Sequence, residues 1–461
     1  MFLRSRTRLR RAATAAAIGL GLVVGTAGAA TAAPASVSTQ GPRSYLVITA
    51  PGDTAGAKSA VTANGGAVYA SYDAIGVLVA HSSATGFAAK MRAVTGVQQV
   101  GATRTSDLPA EVNAPPIPAA PRQVAPTAAE TNRADMTQIG ADRAWQVTTG
   151  SPAVTVGILD TGVDDRHYDL RANFAAAKSA SCAYGKLDTR PGSWRDIHQH
   201  GTHVAGTVAA AKNGRGAVGV APGVRIASVR VAEQPSGLFF PENAICAFVF
   251  AGDQGFDVTN SSYYTDPWLF TCPTDADQAA IGEGVRRAAA YAEGKGVLNV
   301  AAAGNENYDL AAKTIDTTSP DDSTPVTRTV TNACLSLPAE LPGVLAVSSI
   351  TSSNVKSGFS NFGADKIALA APGDRVHSTV PGGRYAELSG TSMASPHVAG
   401  VAALLASVEP TLTVAQLRAR LGAQADDLAC SDSRCTGTEA KNSFYGEGRV
   451  DALDAVRKGG R

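Results

Sequence analysis

Four rhythms of apolar and polar positions succeed one another along the chain. The first is an apolar run over 12–30 behind Arg4, Arg6, Arg8, Arg10 and Arg11, closing on Ala30-Thr31-Ala32. Cationic start, apolar centre and small-residue end are the layout of an export signal cut before Ala33; a retained membrane anchor is the competing reading, which the small-residue end disfavours. The second rhythm, from 44 to about 100, is mixed. It predicts strands at 45–48, 67–69, 76–80 and 97–100 and helices at 53–64 and 84–93, a small α+β unit. Next come Pro109, Pro115, Pro116, Pro118, Pro121 and Pro126 among alanines. They predict an extended, nick-prone linker without a core of its own. From 129 onward, continuous apolar runs at 154–159, 224–231, 297–303, 344–350 and 367–371 alternate with helical patterns such as 242–251 and 278–294. Alternation of this kind predicts an α/β fold, a mainly parallel sheet between layers of helices, with function at the carboxyl ends of its strands. The chain thus divides into 1–32, 33–106, 107–128 and 129–461.

Composition narrows the picture. With 44% hydrophobic and 17% charged residues among 461, global disorder is excluded, and a net charge of +1 gives no field for nucleic acid or anionic membrane. No stretch after residue 30 is long and apolar enough to predict a bilayer span. Six cysteines in an exported chain suit three disulfides. Cys430 and Cys435, close together in a polar loop, are the easiest pair to propose; Cys182, Cys246, Cys272 and Cys334 cannot be paired from sequence. Cys-x-x-Cys spacing of the zinc type is absent.

Three glycine-flanked motifs follow strands or open helices. Asp160 stands in Ile158-Leu159-Asp160-Thr161-Gly162. His200 opens His200-Gly201-Thr202-His203-Val204-Ala205-Gly206. Ser392 lies in Gly390-Thr391-Ser392-Met393-Ala394-Ser395-Pro396. A serine hydroxyl needs a base to take its proton, an imidazole of pKa near ~6.5 suits that task, and a buried carboxylate holds the ring's tautomer. The chain order and the lack of a G-x-S-x-G elbow set the motifs apart from α/β-hydrolases.

These motifs resemble those of the subtilisin-like serine peptidases, over roughly 129–456. The resemblance implies a subtilisin-like fold in which Asp160, His200 and Ser392 are the catalytic triad of a secreted serine endopeptidase. His203, Asp164 and His397 become supporting residues. Asn305, after Ala301-Ala302-Ala303-Gly304, matches the family's oxyanion donor, with the Ser392 amide as its partner. The stretch from Val258 to Tyr264, including Ser262, Tyr263 and Tyr264, resembles one wall of the substrate cleft; Ala302 and Gly304 stand in the other. Here the chain departs from the family, whose small glycines are replaced by Tyr263 and Tyr264, with Pro267, Trp268 and Phe270 beyond. Those rings either reshape the cleft or pack the core. A polar segment over 306–332, with Asp309, Asp316, Asp321 and Asp322, is expected to loop near the pocket.

The resemblance also reads 33–106 as a propeptide, an intramolecular inhibitor removed by self-processing, and 129–461 as the peptidase domain. Cofactors are not required. Structural calcium is left open, because the loop 211–217 with Asn213, together with Asp169 and Glu130, resembles a family calcium site, although Lys212 and Arg215 add positive charge there. The expected partners are protein or peptide substrates, with neither nucleic acid nor, in mature form, membrane, and the chain shows no sign of an obligate oligomer. The rival readings are a narrow processing protease and a catalytically inactive binding protein of the same fold; the second needs a missing catalytic residue, and none is missing.

Overall fold

Strand β1 (Arg43–Thr49) buries Leu46 and Ile48 on one face and Val47 on the other, so the small sheet it centres must be covered on both sides. A computed structural model describes residues 41–130 and 133–457; the export signal expected over 1–32 lies outside them. After β1 come α1 (Ala55–Ala63), β2 (Gly66–Tyr72), β3 (Val77–Ser82), α2 (Phe87–Arg92) and β4 (Val97–Ala102). The strands form an antiparallel sheet in the order β2-β3-β1-β4. Val47, Leu78, Ala80 and Val100 pack with Ala57, Val61, Phe87 and Met91 of the two helices.

Short helices α3 (Ala134–Gln138) and α4 (Ala141–Ala144) lead into β5 (Thr155–Asp160), β6 (Ala180–Ser181), α5 (His200–Ala209), β7 (Arg225–Arg230), α6 (Pro241–Asp253), β8 (Val258–Ser261), α7 (Ala276–Gly294) and β9 (Leu298–Ala302). A small ribbon, β10 (Ile315–Asp316) with β11 (Arg328–Thr329), precedes β12 (Val344–Ile350) and β13 (Leu369–Pro372). The hairpin β14 (Val376–Val380) and β15 (Arg384–Leu388) follows, then α8 (Thr391–Val408), α9 (Val414–Ala423) and α10 (Ala452–Val456). Seven strands pair in parallel in the order β13-β12-β9-β8-β5-β7-β6. All six residues of β5 are buried, which is why its sequence is an unbroken apolar run rather than an alternation. Against the expectation from sequence, helix α8 is long and apolar enough by length and composition to cross a membrane, but it is largely buried in the core beside α5, where Val204, Val208, Val398 and Val401 share one cluster.

The outer face of the four-stranded sheet lies on α6 and α7. Leu46, Ile48, Val77 and Val79 join Ile245, Ile281 and Val285 in one buried cluster, each large side chain contributing roughly 1.5–3 kcal/mol. Arg287 of α7 donates to the carbonyls of Thr49 and Ile75, and Arg92 pairs with Asp277 at 2.6 Å.

The proline-rich segment is the clearest departure from expectation. It does not stand off as an exposed linker. Val112 is buried against Ala183 and Tyr184, the Gln123 amide donates to Asp164 at 2.8 Å, and the Val124 N–H donates to the Gly382 carbonyl at 2.9 Å. Prolines remove donors but leave carbonyls and spaced apolar side chains, and these suffice to dock the strand-like segment.

Candidate active site

Asp160 is the last residue of β5 and is fully buried. Its Oδ1 accepts from the Thr161 N–H at 2.7 Å and from His200 Nδ1 at 2.8 Å. The approach of strand end to helix start requires glycine: a Cβ on Gly201 would sit 2.1 Å from the Gly162 carbonyl oxygen. A second carboxylate, Asp196, accepts from the N–H groups of His198 and Thr202, each at 2.9 Å, and from the Thr161 hydroxyl at 2.8 Å, tying down the first turn of α5. Burial pushes Asp196 up to about 6, against the pull of those hydrogen bonds. For His200, burial disfavours the charged ring, but the charge and hydrogen bond of Asp160, with Asp196 behind, outweigh it and raise the pKa. With Nδ1 donating to Asp160, Nε2 is the basic nitrogen.

The neighbouring histidine is occupied elsewhere. His203 Nε2 lies 3.0 Å from the Val376 carbonyl and 3.1 Å from that of Ala386, holding the β14–β15 hairpin. Asp164 and His397 are likewise engaged, Asp164 by the Gly382 N–H and His397 by the Met393 carbonyl and Asp135.

Ser392 is the second residue of α8, so its N–H has no acceptor within the helix. Its hydroxyl donates to the Ser262 carbonyl at 3.1 Å rather than to the imidazole, while the Ser262 hydroxyl donates back to the Ser392 carbonyl at 3.0 Å. Serine and histidine nevertheless face one cleft of about 720 Å³, and a turn of the serine side chain is the motion that proton transfer calls for, as catalytic hydrogen bonds tighten when substrate binds. Asn305 follows Gly304, where a φ of +103° and the 2.2 Å that would separate an added Cβ from Asn361 Nδ2 exclude a side chain. Thr391 donates to Asn305 Oδ1 from its N–H at 2.8 Å and its hydroxyl at 2.9 Å, which holds the amide oxygen against the start of α8 and leaves the N–H₂ free to donate.

Ser262, Tyr263, Tyr264, Ala302 and Gly304 all line this cleft. The two tyrosines divide the alternatives the sequence left open. Tyr263 is buried and stacked on Phe239, with centroids 4.5 Å apart, and so packs the core behind the wall. Tyr264 is half-buried, and its hydroxyl donates to Asp321 at 2.8 Å. Sequence reasoning missed Asp266 and the segment 234–239 as cleft residues, and it noted Asp321 only as part of a polar loop. Asp266 accepts from the Phe239 N–H and is pushed well above the carboxylate range by burial and by Asp321 facing it. Asp266, Glu306 and Asp321 give the lining three carboxyl groups, and it holds no lysine or arginine. Asp266 two residues beyond Tyr264 was the available signal.

The expected calcium residues do come together, but as a closed set. Asp169 accepts from Asn213 Nδ2 at 3.0 Å, from the Ala217 N–H at 2.9 Å and from the Tyr385 hydroxyl at 2.7 Å. The Asn213 side-chain oxygen takes the Arg215 N–H, and Glu130 takes those of Asn213 and Gly214. Calcium needs six to eight free oxygens; these oxygens already face hydrogen-bond donors, so the set does not fit the ion. The cysteines left unpaired by sequence reasoning form Cys182–Cys246 and Cys272–Cys334, beside Cys430–Cys435.

Known proteins resemble this chain. A model of the subtilase family matches residues 151–448. Subtilisin NAT of Bacillus subtilis subsp. natto is 34% identical over 311 residues, 67% of this chain and 67% of its own length. A thermophilic serine proteinase of Bacillus sp. (strain AK1) is 33% identical over 316 residues, 68% of this chain and 64% of its own. The crystal structure of the epidermin leader peptide processing serine protease of Staphylococcus aureus superposes with a TM-score of 0.70 at 22% identity, over 90% of this chain and 98% of that one, a likeness of fold. Family model, relatives and fold agree with the cleft's geometry, and the chain belongs to the subtilase family of serine endopeptidases.

Proposed function

We propose that Ser392 is the nucleophile, His200 its base and Asp160 the carboxylate that orients the ring, and that residues 33–106 inhibit the enzyme until they are removed. Ser392 Oγ attacks the substrate carbonyl carbon as its proton passes to His200 Nε2. That proton then goes to the departing amine, and water hydrolyses the acyl-enzyme by the same route. The Asn305 amide and the Ser392 N–H are the donors for the oxyanion, and the fixing of Asn305 by Thr391 leaves that amide no other orientation in which both bonds survive. The 2.8 Å contact between His200 Nδ1 and Asp160, opening on the cleft that holds Ser392, carries this reading. Peptide-bond hydrolysis outside the cell is the activity of this family member, and three disulfides suit that setting. Beyond the ends of β8 and β9, residues 262–264 and 302–304 offer strand edges to an extended peptide.

In Ser392→Ala the precursor should accumulate at full mass and take up no serine-directed phosphonate. Ordinary processing by that variant in a protease-free host would refute the assignment. A second reading, a processing enzyme of narrow taste, is favoured by the carboxyl groups and Tyr264 along the cleft; a cleavage profile against a peptide library, sharply clustered or broad, decides it.

A further inference from the structure

Arg104 is only 3% exposed, the most buried arginine among the described residues before Pro109, and the groups that hold it all lie within 233–242. Its guanidinium grips Glu233 with two hydrogen bonds, of 2.9 and 3.1 Å, and reaches Glu242 at 2.5 Å. The plane lies over the ring of Phe240, with Cζ 3.6 Å from its centroid. Glu233 and Glu242 are each 1% exposed. Asn243 donates to Glu233 at 3.1 Å, and Glu242 Oε2 has no partner at all. Two buried carboxylates around one guanidinium, with an unpartnered oxygen to spare, make a socket with a standing demand for positive charge.

The socket adjoins the cleft. The Glu233 N–H donates to the Leu238 carbonyl and its own carbonyl accepts from Gly237, so Glu233 anchors the segment 234–239 that lines the cleft wall. Past Arg104 the chain is held at a second point on that rim: Thr105 and Ser106 donate their N–H groups, at 2.8 and 2.9 Å, to Asp322, next to the cleft residue Asp321. The domain over 33–106 therefore lays an arginine and the following backbone along the edge of a cleft whose own lining is anionic.

We propose that the Glu233–Glu242 pocket is a substrate subsite for an arginine side chain on the amino-terminal side of the bond to be cut, filled by Arg104 in the precursor and vacated when residues 33–106 depart. The inference rests on the reading of that domain as a removable inhibitor, in which Arg104 itself precedes the bond that is cut. Departure takes away the cation that lies between Glu233 and Glu242 and leaves two neighbouring carboxylates whose mutual repulsion an entering cation relieves. Arginine fits better than lysine, because the two-point grip on Glu233 and the stacking on Phe240 both use the planar guanidinium. The substrates implied are peptides or proteins with an arginine upstream of the cleavage point.

The test uses the enzyme as recovered after secretion, with intact mass recorded alongside. Quenched fluorescent decapeptides carry a single arginine walked through each position before the scissile bond, and each has a twin with uncharged citrulline. At one position arginine should exceed citrulline in kcat/KM by roughly ten- to a hundredfold, the span that a charged hydrogen bond carries. In Glu242→Gln the same ratio should fall to about 3 or below, a comparison internal to each enzyme and so independent of how much of it is active. If that variant does not fold, the walk with the unaltered enzyme still decides. Arginine and citrulline cleaved alike at every position, by an enzyme whose mass shows residues 33–106 gone, would overturn the subsite alone. An active enzyme that still carries those residues would overturn the reading of the domain, and the vacated pocket with it.

Discussion

The floor and the wall of the cleft are built by different means. On the floor, Asp160 and Asn305 sit at or just past strand ends, His200 and Ser392 at helix starts, and backbone N–H groups of Thr161 and Thr391 fix the side chains of the first two. On the wall, the segment 234–239 and the residues Tyr263, Tyr264, Asp266, Glu306 and Asp321 lie outside helices and strands and are held by side-chain contacts across long sequence separations, such as Tyr263 on Phe239 and Tyr264 to Asp321. Regular elements hold a geometry to fractions of an ångström, and loops can vary without disturbing them. On the function proposed above, the floor cuts the peptide bond and the wall selects it.

Substitutions should separate the two regions by orders of magnitude. Ser392→Ala should lower kcat by about 10⁶, the size known from subtilisin itself, with folding intact by circular dichroism. Asn305→Ala should cost about 10²–10³ in kcat with little change in KM, again on subtilisin's scale, since the amide acts when negative charge develops. On the wall, Tyr264→Phe removes one hydrogen bond to Asp321 and should cost no more than about tenfold, chiefly in KM. A hundredfold loss in kcat from Tyr264→Phe on all substrates would erase the distinction between floor and wall.

The same division explains what could be read from sequence. Floor residues lie in short motifs whose neighbours do the positioning, as Gly201 does by allowing α5 to touch the turn after β5; Asp160, His200, Asn305 and Ser392 were therefore legible one motif at a time. The strands were legible because burial on both faces leaves continuous apolar runs, as in β5. Asp266 and Asp321 were not legible as a pair, since 54 intervening residues separate them and only the fold brings their carboxyls face to face. The docking of the segment around Val112 was hidden for the same reason: its partners Ala183 and Tyr184 are remote, and proline content alone reads as exposure.

Charge on the floor gives a smaller effect. The neutral imidazole is the base, so kcat/KM should fall with acid as His200 takes a proton. Because Asp160 and Asp196 outweigh burial and raise that pKa, the acid limb should have its midpoint above the ordinary value of about 6.5. The sign for stability is opposite: a raised histidine pKa stabilises the fold below the unfolded value, and this contribution is lost as pH climbs through the folded one. Asp160→Asn removes the nearest anion and should move the ring's titration, followed by imidazole NMR, downward. A midpoint at or below 6.5 in the unaltered enzyme, together with no downward shift in Asp160→Asn, would mean that burial governs the floor.

The smallest effect is expected far from the cleft wall, at the loop over 211–217. A bound calcium ion would have to displace the three donors that Asp169 already accepts, from Asn213, Ala217 and Tyr385, each hydrogen bond being worth about 1 kcal/mol net. Glu130 would likewise give up the N–H groups of Asn213 and Gly214. Lys212 and Arg215 in the same loop add positive charge that opposes a cation there. Chelator should therefore move Tm by less than about 2 °C, the shift that under 1 kcal/mol produces in a domain of this size. A larger fall on chelation, reversed by calcium and abolished in Asp169→Asn, would show instead that these oxygens turn from their donors to the ion.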